Sequence, residues 1–185
     1  DPGGAAAGSL TGQIALDPTT VATLAAGDFA MSSSEAEKII QTDSTFVYAY
    51  LPVALSALIR GDVVKSAQAY KNLEKLSSTG ASLSKIGQAD LDIYAGHYRT
   101  AVEILLPAIQ ADEKEGAGAM GELAHKSAAL AEAYSALGQN SEAVAAADRA
   151  VRANQLDDGI QFIATRTLVE IGQFGKAQQI GRLLG

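Results

Sequence analysis

Along most of this chain apolar residues return at intervals of three or four, the spacing that gathers them on one face of a helix. No stretch alternates in the manner of a half-buried strand. The segment AEAYSALGQNSEAVAAADRAV, residues 131–151, shows the unit: a helical run, a stop at Gly138 and a second helical run. Glycine ends a helix readily because it takes positive φ without a steric penalty. Equivalent stops stand at Gly27 (GDFA), Gly61 (GDVV), Gly96 (GHYR) and Gly172 (GQFG). Their successive spacings are 34, 35, 42 and 34 residues. One hairpin is therefore repeated five times at a period near 34, with about eight residues inserted between the third and fourth copies.

The pattern predicts ten helices, over 18–26, 32–41, 46–60, 62–76, 82–95, 98–110, 118–137, 140–153, 157–171 and 174–184. Five residues after the glycine comes a small side chain: Ser32, Ala101, Ala143 and Ala177. In the second unit the pattern is read one residue late, at Ala67 beside Ser66. A small residue belongs there because the two helices of a hairpin approach most closely just after the turn. Asp62, Asn140 and Ser141 suit the cap of a second helix, Ser32 with Glu35 fits a capping box, and Asp17 before Pro18 opens the array. Pro52 and Pro107 fall inside predicted helices, where a proline costs about 3 kcal/mol. Kinks are expected at both, since the apolar periodicity continues on either side.

Composition supports an all-helical reading. There are 36 alanines among 185 residues, and alanine is the best helix former. Aromatic residues make up 5% and tryptophan is absent, so the core is built of small side chains on closely packed helices. The absence of cysteine removes disulfides and thiolate metal sites without choosing a compartment. A net charge of −7 and scattered basic residues oppose nucleic-acid binding. No apolar run approaches the ~20 residues of a membrane span. A start at Asp1 reads as a fragment, so any signal peptide would lie outside it. Residues 1–12, rich in Gly and Ala, read as linker. The repeat domain is assigned to 13–185, in units near 13–46, 47–81, 82–123, 124–157 and 158–185, with the insertion, a loop, at 111–121.

LAEAYSALGQNSEAVAAADRAV resembles a tetratricopeptide repeat through Leu130, Ala131, Tyr134, Gly138, Ala143, Ala147 and Ala150. IYAGHYRTAVEILLPAI, with Gly96, Ala101, Leu105 and Ala108, is a second match, and ALIRGDVVKSAQAYKNL a third. The usual Trp near each start and the Pro closing each repeat are missing; Tyr50 is the nearest substitute for the former. The resemblance implies an all-α fold: an α-solenoid of about five antiparallel helix-turn-helix repeats in a right-handed superhelix.

Other motifs have plain readings. GAGAMG, residues 116–121, has the letters of a dinucleotide loop, but that site needs a preceding strand, whereas the segment before it reads as helix and carries three acids close by. RGD at 60–62 coincides with a repeat turn and its cap. His97 and His125 have no partners at metal-motif spacing, and no nucleophile elbow frames any serine. The chain is read as non-enzymatic, with no cofactor and no metal.

In tetratricopeptide arrays the first helix of each pair lines a concave groove. Carried over by the glycine register, the groove positions are Tyr48, Leu51, Leu55 and Ile59 in unit two and Ile86, Asp90 and Tyr94 in unit three. His125, Glu132 and Ser135 follow in unit four, and Phe162 and Arg166 in unit five. This surface reads as apolar, then acidic across Asp90 and Glu132, then basic at Arg166, and it suits a protein or peptide with an apolar anchor followed by Lys or Arg. The carboxylate clamp of the family's chaperone-tail binders is not expected, because the matching positions hold Leu51, Leu55, His125 and Ala129. Residues 1–11 or a second copy in a homodimer are alternative covers for the same face.

The leading functional reading is a protein–protein interaction module. The alternative is a regulatory or sensory domain of a larger bacterial signalling protein, since AYLPVALSALIRGD and ADLDIYAGHYRTAVEIL are loosely similar to repeats fused to bacterial serine/threonine kinases. A nucleotide-binding enzyme using GAGAMG is the weakest of the three.

Overall fold

At Gly61, Gly96, Gly138 and Gly172 the backbone turns to φ of 77°, 78°, 71° and 76°. Each glycine N–H donates to the carbonyl three residues back and the next N–H to the carbonyl five residues back of it: Gly138 N to Ser135 O at 3.0 Å, and Gln139 N to Tyr134 O at 2.9 Å. This is the Schellman closure of a helix. The residue after each glycine already precedes the next helix, so each turn spans only a few residues. Gly27, Asp17 with Pro18, the predicted helix over 18–26 and the linker over 1–12 lie outside the described residues.

A computed structural model describes residues 29–182. Among them are nine α-helices and no strand: α1 Phe29–Thr42, α2 Tyr50–Ile59, α3 Val63–Leu73, α4 Ser78–Tyr94, α5 Tyr98–Glu115, α6 Met120–Ala136, α7 Asn140–Ala153, α8 Asp158–Glu170 and α9 Phe174–Gly181. Short 3-10 turns at Val47–Ala49 and Gly116–Ala119 lead into α2 and α6. The chain divides after Ser84 into two compact units.

In the first unit α2 packs on α1 and on α3. Its core is Ala36, Ala49, Tyr50, Val53, Ala54, Ala57, Ala69, Tyr70 and Leu73. Tyr50 turns its hydroxyl to the Ser44 carbonyl at 2.9 Å, which satisfies the one polar atom of that large side chain. In the second unit α6 packs on α5, α7 and α8, while α8 packs on α7 and α9. So crowded a helix is buried on several sides, largely through small residues: Ala124, Ala128, Ala129, Ala131 and Ala133 are all buried. Leu105, Ile109, Leu123, Leu130, Ala147, Ala164, Leu168 and Ile180 complete that core.

The close-approach positions after the turns are buried: Ser66, Ala101, Ala143 and Ala177. Ala67, by contrast, is exposed. The expected slip in the second unit is thus corrected: Ser66, five residues after Gly61, holds the position, and the register is uniform across the four described turns.

Several local expectations change. Helix α1 already runs from Phe29, so Ser32 does not open it. Asp62 caps α3 by accepting from Lys65 N at 2.9 Å. Gln139 precedes α7, so Asn140 and Ser141 are its first residues rather than its caps. Pro52 is the third residue of α2, inside the first turn, where an N–H has no intrahelical acceptor; no kink is needed there. Pro107 does lie within α5. The segment expected as an inserted loop is mostly helix: α5 continues to Glu115, Gly116 breaks it at φ 80°, and a 3-10 turn leads into α6. GAGAMG thus follows a helix, and its backbone lacks the strand-to-helix geometry that a dinucleotide site requires.

Candidate interaction surface

The groove positions expected from the sequence fall on or beside α2 in the first unit and on α4, α6 and α8 in the second. On the first unit, Tyr48 precedes α2 and Leu51, Leu55 and Ile59 follow at intervals of four along it. Leu51 is half-buried, whereas Tyr48, Leu55 and Ile59 are 40%, 39% and 58% exposed. The opposite side of α2 is buried through Val53, Ala54 and Ala57. This helix therefore shows an apolar ridge to solvent as well as an apolar face to the core, which propensity and packing alone do not require.

On the second unit, Ile86, Asp90 and Tyr94 belong to α4, His125 and Glu132 to α6, and Phe162 and Arg166 to α8. Ile86 is half-buried, Tyr94 is 65% exposed and Phe162 59% exposed. Burial pushes the Asp90 carboxyl up to about 6. Glu132 and Arg166 form an ion pair across α6 and α8, and Arg166 Nε also lies 3.7 Å from Glu170. Glu132 and Arg166, expected as an acidic and then a basic feature, therefore neutralise each other. His125 lies 3.8 Å from Asp157, whose side chain caps α8 by accepting from Ile160 N at 3.0 Å. Ser135 is half-buried and its carbonyl serves the Gly138 turn.

Other polar features are absent from the sequence reading. Lys126 on α6 donates to both oxygens of Asp112 on α5, at 2.7 and 2.6 Å, with side chains 1% and 6% exposed. Burial pushes the Asp112 carboxyl up, Lys126 pulls it back, and the neighbouring Glu122 and Glu115 push it up again; the net direction is upward. Its two members are 14 residues apart, Asp112 in the segment read as an inserted loop and Lys126 in the helix expected over 118–137, so no helical spacing announced the pair. A second device repeats: Lys65 on α3 reaches Glu37 on α1 at 2.9 Å, and Lys176 on α9 reaches Asp148 on α7 at 2.6 Å, both across 28 residues. In each case the acid stands ten residues after a glycine of the sequence register, Gly27 or Gly138, and the lysine four residues after the next, so that register could have found it.

No set of three or more His, Cys, Asp and Glu residues that could hold a metal occurs among the described residues. None of the described helices is long and apolar enough to cross a membrane. No family model matches the chain, and no curated protein matches it in sequence. Its fold is similar to a crystal structure of MamA, a tetratricopeptide-like helical-repeat protein, with a TM-score of 0.51 and 15% identity over 91% of this chain and 93% of that one. The nine described helices, with a glycine turn closing each of four hairpins, thus form a tetratricopeptide-like helical-repeat fold.

Proposed function

We propose that this protein is a non-catalytic scaffold that holds a peptide or protein segment on the exposed faces of its first helices. The observation that carries the reading is the ridge Tyr48–Leu51–Leu55–Ile59. Three of these side chains are exposed although the same helix already supplies the core of its unit. Exposed apolar rows of this kind mark interaction surfaces, because leaving them in water forgoes roughly 25 cal/mol for each Å² that a partner could bury. Phe162 and Tyr94 are further aromatic anchors of the type that dominates binding energy at interfaces.

The test selects peptides from a displayed random library on the wild-type protein. It then measures the affinity of the winners for Leu55→Glu and Ile59→Glu, with helicity checked by circular dichroism. Both positions are exposed, so the fold should survive. At least a tenfold loss, about 1.4 kcal/mol, is expected from either change. Peptides that bind both variants as tightly as the wild type would refute the ridge as the docking surface.

A further inference from the structure

At the N-terminal end of the ridge, the loop between α1 and α2 and the loop between α3 and α4 form a hollow. It is lined by Asp43, Thr45, Phe46, Tyr48, Ser77 and Thr79. Its side chains carry charge of one sign, while the N-terminal end of α4, where Ser77 Oγ accepts from Gly80 N at 3.0 Å, brings a partial positive charge to the same hollow. Asp43 is its carboxylate, and no basic side chain lines it. Thr45 donates to Asp43 Oδ1 twice, from its backbone N at 2.9 Å and from Oγ1 at 2.6 Å. These bonds hold the carboxyl below its ordinary range. Both fall on Oδ1, so Oδ2 keeps its acceptor capacity. The Thr45 hydroxyl has committed its proton to Asp43 and offers only lone pairs. The carboxyl-terminal end of α1, with its partial negative charge, adjoins the same loop. Phe46 and Tyr48 stand edge to face, with centroids 6.1 Å apart and planes at 63°, which adds π surface that attracts a cation.

The partial charges of the two helix ends, C-terminal for α1 and N-terminal for α4, offset each other, so the full charge of Asp43, with the aromatic rings beside it, decides for a positively charged donor over an anion. We propose that this hollow takes the ammonium or guanidinium head of a Lys or Arg side chain on the segment that lies along α2. The inference rests on the scaffold reading and adds a partner chemistry to it: an apolar run with a basic residue at the end that meets Tyr48. It also moves the basic-residue acceptor away from Glu132, which Arg166 already neutralises.

The test uses n-butylammonium chloride as a stand-in for a lysine side chain, titrated into the full chain with ¹H–¹⁵N NMR as readout. Saturable shifts at Thr45, Phe46 and Tyr48 are expected, with n-butanol and n-butyrate at equal concentration giving none that saturate. Asp43→Asn keeps an oxygen that can accept from Thr45 and so preserves the loop; it should weaken butylammonium at least fivefold. Shifts that fail to saturate, that n-butanol reproduces, or that persist unchanged in Asp43→Asn overturn the inference. None of these outcomes touches the ridge, whose own test is the loss of peptide binding in Leu55→Glu.

Discussion

Removing the ammonium of Lys126 by the near-isosteric change Lys126→Met leaves the Asp112 carboxyl buried beside α6 without its bidentate partner. The pair is 1% and 6% exposed, with contacts of 2.7 and 2.6 Å, so solvent does little to soften the loss. Breaking one half of such a buried pair costs about 3–5 kcal/mol, a large share of the roughly 5–15 kcal/mol that holds an ordinary domain folded. The cost should depend on pH with a definite sign. Burial already raises Asp112 in the folded state, and loss of Lys126 raises it further. A carboxyl whose folded pKa exceeds its unfolded value favours folding below the unfolded pKa and loses that benefit as pH rises through the folded one. Lys126→Met should therefore be better tolerated at pH 5 than at pH 8. Asp112→Leu strands an ammonium instead and should show the opposite slope. The double change Asp112→Leu/Lys126→Met removes both charges, and its cost should fall well below either single cost, to neutral or to a gain of about 1–4 kcal/mol. Urea denaturation followed by circular dichroism at several pH values measures all four proteins. A cost below about 1 kcal/mol for Lys126→Met, or single costs that simply add in the double variant, would refute the buried-pair argument.

Gly138→Ala should cost about 1 kcal/mol, because φ is 71° there yet an added methyl meets nothing within 4 Å. Gly80→Ala should cost more, about 1–3 kcal/mol, since its methyl would lie 2.3 Å from the Leu73 carbonyl oxygen and force backbone apart; thermal melts of the two variants compare strain with collision. Ser66→Ala should stabilise by about 1 kcal/mol in the same melts, because the hydroxyl is buried without a hydrogen-bond partner and alanine fills the equivalent position in three other turns. For Asp90, with a folded pKa of about 6 against 3.8 unfolded, wild-type stability should fall as pH rises from about 4 through 6, by at most about 3 kcal/mol. Asp90→Asn should remove that slope in a pH series of urea melts.

The helices and their order were legible because the signals are local. A turn such as that at Gly138 is encoded by one residue that tolerates positive φ, and the small residue after it follows from the distance between two helices joined by so short a link. Local signals also misled. Ala67 looked like the close-approach residue on composition, but the helical phase buries Ser66. Pro52 looked like an interior breaker until a 3-10 turn at Val47–Ala49 moved the helix start to Tyr50. The expected groove positions do lie on or beside helices, but the pairing of their charges was not legible. Glu132 and Arg166 were read as two separate features, and only the packing of α8 on α6 joins them.

By itself, then, the chain's residue order determined an all-α repeat with a glycine at each observed hairpin turn, since backbone conformation and helical phase are properties of neighbouring residues. Tertiary structure alone decided which charges are spent within the molecule and which face outward. Lys126 with Asp112 and Arg166 with Glu132 meet across different helices, and no spacing along one helix can tell whether such a group will find water or a partner when the helices close.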